Sequence, residues 1–245
     1  MRALIVLGMH RSGTSAVARV CSLLGAEVGE HLMPPSEDNP TGYWELEGIK
    51  VIHDELLQSL GSSWHATEPL PADWWQAPDV SAYKARLIKL VQREFKDSKF
   101  VCLKDPRMCR LTPLWNDIFE ELAWAPHYLL TIRNPLEVAR SLEARNGFHQ
   151  SKSHLLWLRH VLEAERWTRG RARAFVSYEQ LVVHWRDAMI PAWRQLGLGK
   201  LKVDATTERH IEGFLQKDLR HHRISRDDLQ SDNRHVFIRR AYDGY

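Results

Sequence analysis

The apolar run Ala3-Leu4-Ile5-Val6-Leu7 stops at Gly8-Met9-His10-Arg11-Ser12-Gly13-Thr14-Ser15, and an apolar periodicity then opens through Val17, Val20, Cys21 and Leu24. No other stretch restricts the possible folds so strongly. Strand, glycine-bounded loop and helix in direct succession is the layout of a phosphate-binding loop. Its backbone N–H groups converge on an anion, and the positive end of the helix adds to the attraction. The spacing Gly-x4-Gly-x-Ser fits the nucleotide-binding loop pattern except at one position. Where a triphosphatase needs a lysine to reach the β- and γ-phosphates, this chain has Thr14, and the nearest fixed cation is Arg11. The expected guest is an anionic group other than the terminal phosphate of ATP. Two glycines at a strand end also make an ordinary tight turn. The flanking strand and helix, Arg11 and the closing Thr14-Ser15 favour the functional reading.

With 245 residues and 44% hydrophobic content, the chain is long enough to bury a full core, and residues 1–245 are expected to form one α/β domain. The net charge of +3 suits a small anionic ligand. No Lys/Arg run interleaved with aromatics suggests a nucleic-acid partner. Cys21, Cys102 and Cys109 are too few for a disulfide framework, so a reducing, cytoplasmic setting is expected. The first apolar run is too short for a signal peptide or membrane span.

Short, near-continuous apolar runs predict strands at Ala3–Leu7, Lys99–Leu103, His127–Ile132 and Arg173–Ser177, as for parallel strands covered on both faces. Helical periodicity falls at Ser15–Leu24, Leu46–Leu60, Ala82–Phe95, Pro135–Arg145, Leu155–Thr168 and Glu179–Leu196, the last with a kink or break expected at Pro191. Trp64–Pro78 reads as a long loop and Gly197–Asp204 as a connector, followed by a helix near Thr206–Lys217 and a basic tail. This alternation predicts a three-layer α/β sandwich around a central, mostly parallel sheet, of the kind found in P-loop nucleotide hydrolases.

A second anion signal lies at Thr131-Ile132-Arg133-Asn134-Pro135-Leu136-Glu137, where a strand ends and a helix starts. Asn134 suits the N-cap, Pro135 the first helical position, and Glu137 completes a capping box. Arg133 thus sits at a strand's carboxyl end, where open α/β sheets place ligands. Ser141 shares a helical stripe with Glu137 and Arg145. A cation at the strand end and a hydroxyl on the next helix can grip a second phosphate. Alone, the same residues describe a capped helix with a surface arginine and a solvated serine.

Together these residues resemble the PAPS-dependent sulfotransferase family, particularly its bacterial members. His10, Arg11, Ser12, Gly13, Thr14 and Ser15 are similar to that family's 5′-phosphosulfate loop, which lacks the lysine of triphosphatases. Arg133, followed eight residues later by Ser141, resembles its 3′-phosphate motif. Val176-Ser177-Tyr178-Glu179-Gln180-Leu181 resembles its late strand, where Tyr178 would approach the adenine. Val101-Cys102-Leu103-Lys104-Asp105-Pro106 resembles the central strand that carries a lysine towards the active site. The resemblance spans residues 1 to about 196. It implies PAPS as donor, PAP as product and no metal. The catalytic histidine of several cytosolic members has no counterpart, since Asp105, Pro106 and Arg107 stand there. The glycine-rich C-terminal motif is also missing, with Arg220, His221, His222 and Arg223 as candidate substitutes.

Transfer of a sulfuryl group builds charge on the leaving phosphate oxygens, so positioning and electrostatics should dominate. Arg11 and the loop N–H groups suit the leaving phosphate. Lys104, at a strand end, either reaches the bridging oxygen or caps an edge. The acceptor hydroxyl needs a base. Glu45, after the Pro40-Thr41-Gly42-Tyr43-Trp44 turn, is the first candidate, although an acid in a helix's first turn is also favoured by the dipole. Asp105 is the second candidate, with His10 and His53 behind. Ten tryptophans are many for this length; Trp44, Trp64, Trp74 and Trp75 either receive a ring or, more ordinarily, pack. The expected acceptor is a hydroxyl of a carbohydrate or small metabolite. Two other readings stay open: a kinase-like phosphotransferase, which would need a metal-holding carboxylate such as Asp105, and a non-catalytic PAP-binding module.

Overall fold

The computed structural model describes residues 1–215, 229 and 236–244. Four strands, β1 (Arg2–Leu7), β2 (Phe100–Lys104), β3 (Ala125–Ile132) and β4 (Arg173–Ser177), form one sheet in the order β2-β1-β3-β4. Every pairing is parallel, so the sheet is wholly rather than mostly parallel. Helices cover both faces. Alternation along β1 sends Ala3, Ile5 and Leu7 into one apolar cluster and Leu4 and Val6 into the other. The first cluster packs against α2 (Glu47–Ser59), α3 (Ser81–Glu94) and α4 (Met108–Glu121). The second packs against α1 (Thr14–Leu23), α7 (Tyr178–Val183), α8 (Trp185–Gln195) and α9 (Ala205–Leu215). A third cluster joins α5 (Pro135–Asn146), α6 (Gln150–Trp167) and α10 (Val236–Asp243).

Three departures from the sequence reading have physical causes. Helix α4 was not expected, since Pro113 interrupts its pattern; it stands one turn in from the start, and Met108, Leu111, Leu114, Trp115 and Ile118 are all buried. Helix α6 starts five residues earlier than Leu155, because the His149 imidazole accepts from the Ser151 N–H at 3.3 Å and caps it. The expected Glu179–Leu196 helix breaks at His184 (φ −140°, ψ 68°), while Pro191 stays inside α8 on an exposed position. The cysteines are buried free thiols. No helix among the described residues is long and apolar enough to cross a membrane. Arg220, His221, His222 and Arg223 lie outside the described residues.

The strand order sets the site. The chain lays β2 on one side of β1 and β3 on the other, so the connections diverge between β1 and β3. A crevice opens there at the carboxyl ends of parallel strands. Gly8 leaves β1 into it, Arg133 leaves β3, and Lys104 ends β2.

Candidate active site

The loop after β1 depends on its two glycines. A Cβ on Gly8 would lie 2.9 Å from the Thr131 carbonyl oxygen, and one on Gly13 would lie 2.0 Å from the Tyr178 ring. Gly13 also holds φ 86°, the left-handed geometry that glycine adopts without strain. Arg11 takes φ 68° without that freedom, which turns its side chain into the crevice at a conformational cost. Ser12 donates its N–H to the Met9 carbonyl at 3.0 Å, closing the turn. The Ser12 hydroxyl is buried with no hydrogen-bond partner among the described residues.

The loop borders a cleft of about 440 Å³. Arg11, Lys104, Arg133 and Arg145 face it against two carboxylates, Asp38 and Glu45, among the described residues. That excess of cations suits a polyanion. His10, Gly13, Thr14, Ser15 and Tyr178 also line it, while Ser12 is buried and does not.

Around Arg133 the structure is more tightly braced than the sequence suggested. Its Nε donates to Glu137 at 3.0 Å and one terminal nitrogen donates to the Arg11 carbonyl at 2.8 Å. Its guanidinium lies 4.8 Å over the Tyr178 ring. Asn134 caps α5, accepting from the Leu136 N–H at 2.9 Å. The reciprocal half of the expected capping box comes from elsewhere: Glu137 turns in to Arg133, and Glu179 of α7 accepts the Asn134 N–H at 2.8 Å. Ser141 is buried and accepts from Arg11 Nε at 2.8 Å, so it steadies the first loop's cation.

Lys104 and Glu45, which line the same cleft, form a buried ion pair. The ammonium also donates to Ser15 Oγ at 3.1 Å and to the Tyr43 carbonyl at 3.0 Å, which matches its three N–H groups to three acceptors. Burial pushes the Glu45 carboxyl up, and Lys104 pulls against that rise.

Asp105 is placed differently. It does not line the cleft. It accepts from the Arg107 N–H at 2.8 Å and its guanidinium at 3.0 Å, and pairs with His53 Nδ1 at 3.1 Å. Burial alone would raise its carboxyl, but Arg107 and His53 hold it well below the usual carboxylate range. His53 is equally committed: its Nε2 accepts from Trp115 Nε1 at 2.9 Å, so its proton sits on Nδ1, facing Asp105. Burial, then the charge of Arg107, push the His10 imidazole well below the ordinary histidine range. Its ring lies 4.3 Å from that of Trp64. The other singled-out tryptophans pack or stack away from the cleft: Trp74 is buried, Trp75 stands edge-on to Trp167, and Trp44 carries Arg19 over its ring at 4.5 Å.

Asp38, Asn39 and Arg145 line the cleft without having been singled out as ligand-binding residues. Arg145 had a signal, since it continues the Glu137–Ser141 stripe at a spacing of four along α5. Asp38 and Asn39 had none, because they reach the loop only through the fold of an irregular turn.

The sequence matches no family model and no curated protein. Solved structures are similar to it. The sulfotransferase domain of the curacin biosynthetic pathway is 16% identical, over 84% of this chain and 77% of that one, at a TM-score of 0.47. Sulfotransferase STF1 from Mycobacterium tuberculosis H37Rv is 14% identical over 100% and 77%, at 0.49. The sulfotransferase domain of the Synechococcus PCC 7002 olefin synthase is 19% identical over 91% of this chain and 89% of that one, at 0.51. With its all-parallel sheet, helices on both faces and the loop after β1, the chain has a sulfotransferase-type fold.

Proposed function

We propose that the chain transfers a sulfuryl group from PAPS to a hydroxyl of a carbohydrate or small metabolite. The observation that carries this reading is the shared cleft at the divergence of β1 and β3, where a glycine-cradled loop with Arg11 adjoins Arg133 and the Lys104–Glu45 pair. The fit to PAPS rests on the donor set of the cleft: the cations Arg11, Lys104, Arg133 and Arg145, with the Thr14 and Ser15 hydroxyls at the start of α1 and the Tyr178 ring beside them. When bound, PAPS supplies an activated sulfuryl group, whose bond to the 5′-phosphate oxygen breaks as its bond to the acceptor oxygen forms. Arg11 and the N–H groups at the start of α1 hold the 5′ end and stabilise charge on the phosphate. Arg133 holds the 3′-phosphate, and Tyr178 borders the nucleoside. Glu45 takes the acceptor proton, and Lys104 holds that carboxylate in place.

The phosphotransferase reading needs a carboxylate free for a metal. Asp105, the candidate for it, is committed to Arg107 and His53. A thermal-shift comparison of PAP, ADP and ATP, each with and without Mg²⁺, tests the proposal. PAP should stabilise the fold more than ADP without metal, adding about 2.7 kcal/mol over the ligand-free protein at a hundred times its Kd. Equal stabilisation by ADP with Mg²⁺ would favour the phosphotransferase.

Arg133→Ala should weaken PAP by about 2–3 kcal/mol in calorimetry, through loss of charge-assisted contacts. It should scarcely alter binding of a nucleotide lacking the 3′-phosphate. Equal losses for both nucleotides would assign Arg133 to bracing the loop through the Arg11 carbonyl.

A further inference from the structure

The turn before Glu45 places a carboxylate where the proposed donor's anionic end belongs. Asp38 divides its two oxygens. Oδ1 accepts from the hydroxyls of Ser36 and Tyr43, the latter at 2.6 Å. Oδ2 lies 3.3 Å from a terminal nitrogen of Arg11 and 3.7 Å from one of Arg145. The Asp38 carbonyl oxygen also accepts from Arg11 at 3.1 Å. The turn has supports of its own: Asn39 donates its N–H to the Ser36 carbonyl at 3.0 Å and its side-chain amide to the Gly42 carbonyl at 2.7 Å. Oδ2 is therefore not needed to shape the turn. Burial alone would raise the Asp38 carboxyl, but the hydroxyl bonds from Ser36 and Tyr43 and the charges of Arg11 and Arg145 hold it below its ordinary value, so it is an anion at neutral pH.

We infer that Asp38 is a built-in competitor for the donor: its carboxylate sits on the cations Arg11 and Arg145, weakens binding of PAPS and PAP at the loop, and speeds release of the spent nucleotide. The inference rests on the donor-site reading given above. An incoming phosphate on Arg11 must share that cation with Asp38 or displace it, and like charges a few ångströms apart repel strongly when partly shielded from water. An enzyme that turns over must let PAP leave, and a carboxylate waiting on the same cation shortens that step.

Calorimetric titration of PAP and, separately, of inorganic pyrophosphate into wild type, Asp38→Asn, Asp38→Ser and Asp38→Glu tests this. Asparagine keeps an acceptor for Ser36 and Tyr43 and removes the charge; serine is a second neutral variant should asparagine perturb folding. Both neutral variants should bind PAP about tenfold more tightly at low salt, with the gain shrinking as salt rises. PAP dissociation in stopped flow should slow by a similar factor, and Asp38→Glu should stay near wild type. Unchanged or weaker PAP binding in the neutral variants would overturn the inference, as would a gain of the same size in Asp38→Glu. If wild type binds no PAP, the donor assignment fails, and the pyrophosphate titrations still decide whether Asp38 competes for the loop.

Discussion

Glu45→Gln is expected to lower sulfuryl-transfer turnover by about 10²–10⁴ while leaving PAP affinity nearly unchanged, since proton removal by a positioned base contributes on that scale. Glutamine keeps the shape of the side chain and an oxygen that can still accept from Lys104, but it cannot take a proton from the acceptor. Burial pushes the Glu45 carboxyl up, which brings its basicity closer to the working pH. Asp105→Asn is the matched control. Its carboxylate is bound to Arg107 and His53 away from the cleft, so its loss should lower the melting temperature more than the rate constant of the folded fraction. Melting curves taken beside the kinetics separate the two. Near-normal turnover in Glu45→Gln with none in folded Asp105→Asn would reverse the assignment.

Lys104→Met should be the most destabilising of these changes, by about 3–5 kcal/mol at neutral pH, because it strands a buried carboxylate. Lys104 and Glu45 are both buried, at 5% exposure each. Without the ammonium, desolvation is opposed by the more distant Arg107, 4.0 Å from Glu45 Oε2, and by the charge of Arg145, and the carboxyl's pKa rises further in the folded state. A folded pKa above the unfolded one means that the native state holds the extra proton. The penalty therefore sets in as pH rises above the unfolded value and is complete above the folded value. Chemical denaturation of Lys104→Met should show stability recovering on acidification by more than wild type does, since Glu45 is raised less when Lys104 is present. The double variant Lys104→Met/Glu45→Gln should recover much of the loss at pH 7. A single variant as stable as wild type would mean that the pair contributes nothing net.

The fold was legible where one period ruled. β1, β2 and β3 are buried on both faces over most of their length and read as near-continuous apolar runs, the edge strand β4 alternates buried and half-buried, and each was placed within two residues. What escaped was governed by tertiary context. Pro113 hid α4, and a histidine cap hid the start of α6. The loop and strand-end side of the cleft showed in the sequence because loop, strand end and helix start are contiguous there. The long-range contacts did not, because Asp38 meets Arg11 across 27 residues that hold α1 and an irregular turn, and the engagement of Asp105 with His53 spans 52. Ser141 was found by its spacing from Arg133, yet its hydrogen bond goes to Arg11.

The two candidate anion grips hang from β1 and β3, which are hydrogen-bonded neighbours although more than a hundred residues separate them in the chain. Their separation is thus fixed by strand spacing, about 4.8 Å, and by the bond from Arg133 to the Arg11 carbonyl. Lengthening or shortening the segments between β1 and β3 leaves that separation untouched. The irregular stretch that carries Asp38 and Glu45 is one of those segments. A lineage can therefore recast the mouth of the cleft and what it admits, while the spacing of the two grips is inherited unchanged from the sheet.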